Sequence, residues 1–184
     1  MNVLKTGIEG LVEITPTLYQ DDRGWFCEIY KEDEFRKHGL NANFVQDNQS
    51  FSKKGVVRGL HLQLAPHSQG KLVSVISGKV LDVVVDLRSG SATFGQVHYC
   101  TLDSARRNLL FVPEGFAHGF AALEDSIFFY KCTNLHHPGA EVGIRWNDPE
   151  LNIDWAVKEP TLSTKDKNHP TLNELLIKSV ISRN

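Results

Sequence analysis

Leu72-Val-Ser-Val-Ile-Ser-Gly-Lys-Val-Leu-Asp-Val-Val-Val-Asp86 contains two runs rich in β-branched residues, separated by Ser77-Gly78-Lys79. Such residues favour strands and a short segment containing glycine favours a tight turn, so we predict strands at Leu72–Ser77 and Val80–Asp86. Two further apolar runs of this kind are Leu109–Val112 and Ile127–Cys132. Short strands that follow one another without helices between them are typical of antiparallel sandwiches and barrels, which predicts an all-β protein.

Helical signals are few and lie outside this strand-rich region. Lys31–His38 could form a short helix that ends at Gly39. Thr171-Leu-Asn-Glu174 has the spacing of a capping box and precedes several apolar residues. No linker or internal repeat is visible, so we expect one domain over residues 1–184, with 171–184 as a C-terminal helix or a loose tail.

Composition excludes several classes of protein. The 184 residues carry a net charge of −2 and are 41% hydrophobic, which argues against a general nucleic-acid binder and against a disordered tail. Three cysteines, none of them in a C-x-x-C motif, do not indicate a disulfide framework. The first residues lack an apolar signal sequence, and no apolar run approaches about 18 residues. We therefore expect a soluble cytoplasmic protein.

Pro113-Glu-Gly-Phe-Ala-His118 has the spacing P-x-G-x-x-H, which resembles the second motif of the cupin superfamily. The first cupin motif, which normally supplies metal ligands, would align with His61-Leu-Gln63, Lys71 and Gly78. Glutamine is a poor ligand and a lysine ammonium has no lone pair, so these substitutions predict no metal site. A free histidine beside a cation suits proton transfer on an anionic substrate instead.

Three residues could carry proton transfer, and each also has a structural interpretation. His61 could be a base, although most histidines are merely structural; Arg58 would share its face only if Gly59 broke the strand alternation. Tyr130 could donate a proton or be a core aromatic residue. Asp166, in a polar segment, could orient a histidine or be a solvated turn residue. Neither a P-loop nor a dinucleotide-binding glycine motif is present.

Over about residues 1–170 the sequence resembles the dTDP-4-dehydrorhamnose 3,5-epimerase family, because a set of short motifs occurs in the same order. The matching stretches are Asp22-Arg-Gly24 with Glu28, Phe44-Val-Gln-Asp-Asn48, Val57-Arg-Gly-Leu-His61, Gln69-Gly-Lys-Leu-Val73, Asp82-Val-Val-Val-Asp-Leu-Arg88, Pro113-Glu-Gly-Phe-Ala-His-Gly-Phe120, Tyr130-Lys131, Gly143-Ile-Arg-Trp-Asn-Asp-Pro149 and Ser163-Thr-Lys-Asp166. Any one of them could occur by chance, whereas their joint presence is highly specific.

The resemblance implies a cupin-like jelly roll, or double-stranded β-helix, with short helices at the periphery and C-terminus. It implies a homodimer without metal or cofactor that inverts C3 and C5 of dTDP-4-dehydro-6-deoxy-D-glucose, with no nucleic-acid or membrane partner. His61 matches the family's base, Asp166 its carboxylate partner, Tyr130 the proton donor and Lys71 the cation near the C4 oxygen. The remaining site positions, implied to contact substrate, are Arg23, Glu28, Gln46, Asn48, Arg58, His118, His136, Glu141 and Lys165. Some of these contacts are expected to reach the partner subunit's site.

His136 departs from the family pattern, which has a tyrosine there that stacks on the thymine. An imidazole offers less stacking area, so the departure bears on nucleobase binding more than on epimerisation. Asp154-Trp-Ala156 also departs from the family's Trp-Pro, with only a local effect expected. Three alternatives stay open: a 3- or 5-monoepimerase of another nucleotide-linked 4-keto-6-deoxysugar, a metal-dependent cupin enzyme, and a non-catalytic sugar-binding jelly roll.

Overall fold

The computed structural model describes residues 1–183, which form thirteen strands and three short α-helices. The strands are β1 (Asn2–Lys5), β2 (Val12–Thr15), β3 (Leu18–Asp21), β4 (Gly24–Cys27), β5 (Gln46–Ser52), β6 (Val57–Gln63), β7 (Lys71–Ser77), β8 (Lys79–Asp86), β9 (Val97–Asp103), β10 (Leu109–Val112), β11 (Phe116–Ala122), β12 (Ser126–Cys132) and β13 (Glu141–Gly143). The helices are α1 (Glu32–Lys37), α2 (Thr164–Lys167) and α3 (Leu172–Ile177), with a 3-10 turn at Pro138–Ala140. Within residues 1–183, no helix has the length and apolar character that a membrane crossing requires.

Two antiparallel sheets build the molecule. The six-stranded sheet has the order β1-β2-β10-β7-β12-β5, and the five-stranded sheet has the order β13-β6-β11-β8-β9. A separate hairpin consists of β3 and β4. The prediction of an all-β, cupin-like jelly roll is confirmed, as are the four strands predicted from apolar runs.

The core lies between the two sheets and on the outer face of the five-stranded sheet. Val73 and Phe128 of one sheet pack with Val84 and Phe120 of the other. On the outer face, Val83 and Val85 belong to a second cluster, which the C-terminal segment covers. Because β8 is buried on both faces, its sequence is a continuous apolar run rather than an alternating one.

Gly78 makes the predicted turn, but the turn joins two sheets instead of closing a hairpin. Strand β7 belongs to the six-stranded sheet and β8 to the five-stranded sheet. Gly78 has a φ of +85°, and a Cβ there would lie 2.3 Å from the carbonyl oxygen of Asp125. Only glycine meets both conditions, so the residue that predicted a turn is the one at which the chain changes sheets.

The helices lie close to where local signals occur. Helix α1 occupies Glu32–Lys37, and Gly39 beyond it has a φ of +77°. Helix α3 begins with the predicted capping box, in which Thr171 and Glu174 bond each other's backbone. Leu172 and Leu175 of this helix are buried in the outer cluster, so residues 171–177 pack against the body of the protein.

Candidate active site

A cavity of about 270 Å³ opens between the two sheets. His61 and His118 enter it from the five-stranded sheet, whereas Lys71 and Tyr130 enter it from the six-stranded sheet. Seven residues singled out from the sequence line it: Arg58, His61, Lys71, His118, Tyr130, Lys165 and Asp166. The fold thus collects groups that are up to 108 positions apart in the chain.

His61 and Asp166 form an imidazole–carboxylate pair. His61 Nε2 lies 2.7 Å from Asp166 Oδ1, and the Ser163 hydroxyl donates to Asp166 Oδ2 at 2.9 Å. Asp166 is 4% exposed, so the interpretation as a solvated turn residue is wrong. Burial by itself raises the pKa of Asp166, but the hydrogen bond and charge of His61, with help from Ser163, outweigh it and lower the pKa. The carboxylate therefore stays ionised and holds His61 by Nε2, which leaves Nδ1 as the nitrogen able to accept a proton.

Asp166 reaches His61 because the C-terminal segment runs beside β6. Thr161 forms a short parallel bridge with Val56, directly before β6. Ser163 then caps α2 by accepting a hydrogen bond from the Asp166 amide at 3.0 Å. The sequence showed only a polar segment here, whereas the structure has one helical turn in which Asp166 is buried.

Gly59 allows Arg58 and His61 to line the same cavity. A regular strand would place residues three apart on opposite faces. Gly59 has a φ of +123°, and the pairing of β6 with β11 shifts register beside it. A Cβ on Gly59 would lie 2.6 Å from the Cα of Gly119, so glycines on both strands permit the close approach. The alternation is broken as the sequence suggested, and the Arg58 guanidinium is held by the Ser52 hydroxyl at 2.9 Å.

Lys71 is a partly buried cation without a protein partner. Among residues 1–183 its ammonium makes no hydrogen bond or ion pair, although Glu141 and Asp82 act on it through space. Burial lowers the pKa of Lys71, because taking an ammonium out of water disfavours its charged form. An anion that developed in the cavity would favour the charged form again, so the site suits a substrate that becomes negative.

Tyr130 stands on the six-stranded sheet, across the cavity from the sheet that carries His61. Burial raises the pKa of Tyr130, and the nearby Cys132 and Glu141 raise it further. The phenol therefore keeps its proton near neutral pH and can act as an acid. Its ring also packs 6.0 Å from that of Phe128, so the core-aromatic interpretation is true of the ring while the hydroxyl belongs to the cavity.

His118 pairs with a carboxylate that the sequence analysis did not single out as a site residue. Its Nε2 lies 2.8 Å from Asp82 Oδ2 and 3.0 Å from Oδ1. Burial raises the pKa of Asp82, and His118 opposes that rise. In the run Asp82-Val-Val-Val-Asp86 a carboxylate lies within an apolar strand. Carboxylates in such strands are rarely buried without a partner, so this position could have been recognised from the sequence.

The positions that hold metal in cupins do not form a metal site here. Gln63, at the second ligand position, donates its amide to the carbonyls of His67 and Leu135. Its amide oxygen accepts from the His137 backbone at 2.7 Å and from His136 Nδ1 at 3.1 Å. Lys71, at the carboxylate position, offers no lone pair. These residues do not fit a cupin metal.

Four residues predicted to bind the nucleotide sugar do not line the cavity but connect to it through Lys165, and we call this set the rim: Gln46, Asn48, His136 and Glu141. Gln46 donates to Asn48 at 2.9 Å and accepts from the His136 backbone at 2.9 Å. Glu141 forms an ion pair with Lys165 at the cavity and lies 3.9 Å from His136. The Lys165 hydrogen bond lowers the pKa of Glu141 against the opposing effect of burial. The rim therefore presents amides and charges beside a half-exposed imidazole.

Arg23 and Glu28 do not line the cavity of their own chain. Arg23 sits on the exposed β3–β4 hairpin and bonds Asp21 through its guanidinium at 2.6 Å. Glu28 follows the hairpin and lies 3.9 Å from Lys31. Their predicted role as substrate contacts requires that the hairpin reach another copy of the chain.

Sequence reasoning missed His169, which lies behind the His61–Asp166 pair. Its ring is 5.4 Å from that of His61, and its Nε2 is 3.5 Å from Asp166 Oδ1. Burial lowers the pKa of His169, and the charge of His61 lowers it further. The sequence signal that could have found it is its position three residues after Asp166, although helix α2 ends at Lys167 and does not itself include His169.

Comparisons with known proteins identify the family of this chain. The family model described as dTDP-4-dehydrorhamnose 3,5-epimerase matches residues 5–174. The enzyme of that name from Methanothermobacter thermautotrophicus is 47% identical over 93% of this chain and 94% of its own. The crystal structure of the Elizabethkingia anophelis dTDP-4-dehydrorhamnose 3,5-epimerase superposes with a TM-score of 0.91 at 44% identity, covering 95% of this chain and 97% of that one. The Legionella pneumophila dTDP-6-deoxy-D-glucose-3,5-epimerase, solved with dTDP-4-keto-L-rhamnose, gives 0.92 at 44% identity over 100% and 98%. This chain belongs to the dTDP-4-dehydrorhamnose 3,5-epimerase family.

Proposed function

We propose that the protein inverts C3 and C5 of dTDP-4-dehydro-6-deoxy-D-glucose and forms dTDP-4-dehydro-β-L-rhamnose, a step of dTDP-L-rhamnose biosynthesis. The observation that carries this proposal is that an imidazole–carboxylate pair and a phenol enter one cavity from opposite sheets. Inversion of a carbon requires that a proton leave one face and another arrive at the opposite face. A base and an acid on facing walls supply both steps.

His61 is the proposed base and Tyr130 the proposed acid. The C–H bond beside the C4 ketone breaks, its proton goes to His61 Nδ1, and its electron pair forms an enolate. Tyr130 then delivers its own proton to the other face of the carbon. Solvent restores the phenol and removes the proton from the imidazolium, so the enzyme returns to its starting state.

Lys71 is the proposed partner of the enolate oxygen. A buried ammonium without a protein partner is available for a negative charge that appears only during the reaction. Such preorganised groups typically contribute about 3–4 kcal/mol to transition-state stabilisation. Arg58 and the rim residues are proposed to hold the diphosphate and the nucleotide, because a guanidinium can bind two oxygens at once.

We also propose that the chain works as a homodimer, with each copy acting as one domain. An apolar groove on the outside of the six-stranded sheet is lined by Trp25, Ile29, Ile76 and Phe129, among others. Trp25 and Phe26 on the hairpin are more than half exposed, as interface residues would be in an isolated chain. Docking there would carry Arg23 toward a neighbouring site. The three free cysteines suit the reducing conditions of the cytoplasm, where we expect the protein.

Proton NMR in deuterated water tests the function directly. Purified protein, treated with a chelator and supplied with dTDP-4-dehydro-6-deoxy-D-glucose, is expected to place deuterium at both C3 and C5. The variant His61→Asn is expected to lose exchange at both carbons. Exchange at one carbon only would indicate a monoepimerase, and no exchange by folded wild-type protein would refute the proposal. Light scattering coupled to size exclusion tests the dimer.

A further inference from the structure

Three metal-binding side chains converge behind the cavity wall. His61 Nε2 lies 2.7 Å from Asp166 Oδ1, and His169 Nε2 lies 3.5 Å from the same oxygen. One potential ligand atom from each of the three residues lies within 4.8 Å of those of the other two. The cluster differs from the cupin metal positions, with which it shares only His61.

His169 is buried with an unsatisfied nitrogen. The residue is 8% exposed, and Nε2 has no hydrogen-bond partner anywhere in residues 1–183. A buried polar atom without a partner is costly, so one that a fold retains calls for an explanation. Asp166 Oδ1, which lies 3.5 Å from this nitrogen, already bonds His61 Nε2.

The fold makes room for this imidazole. A Cβ on Gly143 would lie 2.3 Å from the His169 ring, so only glycine at 143 leaves the ring its place. Gly143 on β13 is also the register partner of His61 on β6. The ring of His169 is thus held beside His61 by the backbone, and its orphan nitrogen lies 3.5 Å from Asp166 Oδ1.

We propose that His61, Asp166 and His169 form a binding site for one zinc ion, and that zinc bound there inhibits the epimerase reaction. Two imidazoles and a carboxylate are ordinary zinc ligands, with bonds of about 2.0–2.2 Å. Tetrahedral bonds of that length separate ligand atoms by about 3.4 Å. The ion replaces the proton shared by His61 and Asp166, which move apart slightly, while Ser163 continues to orient the carboxylate.

The inhibition rests on the proposed function. It arises because His61 would bind zinc through Nε2 but needs Nδ1 to accept the substrate's proton. A neutral imidazole that ligates zinc through Nε2 carries its one proton on Nδ1. The proton formerly on Nε2 passes to Nδ1 through solvent, so no net proton is released from the ring. Nδ1 then has no lone pair with which to accept the substrate's proton, and turnover stops until the metal leaves.

Zinc titration tests the site apart from catalysis. Calorimetry with zinc chloride on chelator-treated wild-type protein is expected to show one site. His169→Asn is expected to lower zinc affinity at least about tenfold. Mutating a residue that merely orients a metal ligand already lowers metal affinity by about that factor. His137→Asn is the matched control, because His137 is an exposed histidine stacked on His67 outside the cluster. It should bind zinc as wild type does.

Turnover measurements complete the test. Zinc should inhibit wild-type protein reversibly, and His169→Asn should turn over without zinc yet need at least about tenfold more zinc for half inhibition. Equal inhibition of both proteins, absence of a site by calorimetry, or a site lost in His137→Asn would each overturn the proposal. Should His169→Asn fail to fold, nitrogen NMR of wild-type histidines decides: zinc must shift Nε2 of both His61 and His169. Absence of turnover with chelator present would refute the proposed function instead.

Discussion

His61 Nε2 and Asp166 Oδ1 lie 2.7 Å apart although 105 positions separate the residues in the chain. Asp166→Asn replaces an acceptor with an amide that fits the same space but does not hold the Nε2 proton. We expect kcat to fall by about 10²–10⁴-fold, since the wrong tautomer of His61 becomes available. Steady-state kinetics and circular dichroism measure the effect. Asp47→Asn, which alters an exposed carboxylate paired with Lys131, should stay near wild type.

Tyr130→Phe should separate proton exchange from inversion. His61 can still remove a proton and return a deuteron to the same face, whereas delivery to the opposite face loses its acid. We expect deuterium to enter the substrate while product formation falls by about 10²–10⁴-fold. Tyr99→Phe is the matched control, because Tyr99 lies on β9 and bonds the Asp154 backbone. Equal loss of exchange and inversion in Tyr130→Phe would contradict the assignment of opposite faces.

Lys71→Met should lower the activity of the protein and raise its stability. The folded-state pKa of Lys71 is lowered, so its contribution to stability is complete only above the unfolded pKa of about 10.4 and is lost as pH falls through the folded pKa. At pH 7 the buried charge therefore destabilises the fold. Its removal should raise the free energy of unfolding by on the order of 1–3 kcal/mol, an advantage that shrinks toward pH 10.

Two measurements check the Lys71 prediction. Urea unfolding at pH 7 and pH 10 gives the difference in stability, and the kinetics should show a loss of about 10²–10³-fold in kcat. Lys131→Met is the control, because Lys131 is paired with Asp47 near the surface. It should lose a little stability and keep its turnover. Full activity in Lys71→Met would rule out the role of the ammonium at the enolate.

His136→Tyr should tighten the binding of a thymidine nucleotide. The His136 ring is half-exposed at the rim and bonds Gln63 through Nδ1 at 3.1 Å. A phenol ring offers more area for stacking on a base, which is worth about 1 kcal/mol and hence several-fold in affinity. Titration calorimetry with dTDP measures the change. Unchanged or weaker binding would remove position 136 from the nucleobase site.

The sequence was most informative where its pattern reports a local preference. The apolar runs at Leu72–Ser77 and Ile127–Cys132 are strands, and the capping box at Thr171 starts a helix. Gln63 and Lys71 argued against a cupin metal before any geometry was known, because ligand chemistry depends on residue type alone. The roles proposed for Asp166 and Tyr130 came only through family resemblance, since each residue has a common structural interpretation.

Other features depend on contacts between distant segments. Asp82 and His169 were not identified as site residues, because the local signals beside them do not say that one pairs with His118 and the other lies behind His61. Gly78 was recognised as a turn, but the choice between a hairpin and a change of sheet depends on which strand the next segment pairs with. Pairing is a long-range property that a local pattern does not contain.

The sequence by itself determined the all-β class, the strand that carries Tyr130, the strand that begins beside Lys71, and the chemical types of the site. Only the tertiary structure decided which of these groups face one another. Gly59 turns Arg58 and His61 to one side, and the bridge from Val56 to Thr161 brings Asp166 to the imidazole. The physical reason is that the chemical character of a side chain depends on its residue type alone. Its position relative to other side chains depends on the packing of two sheets and a terminal segment.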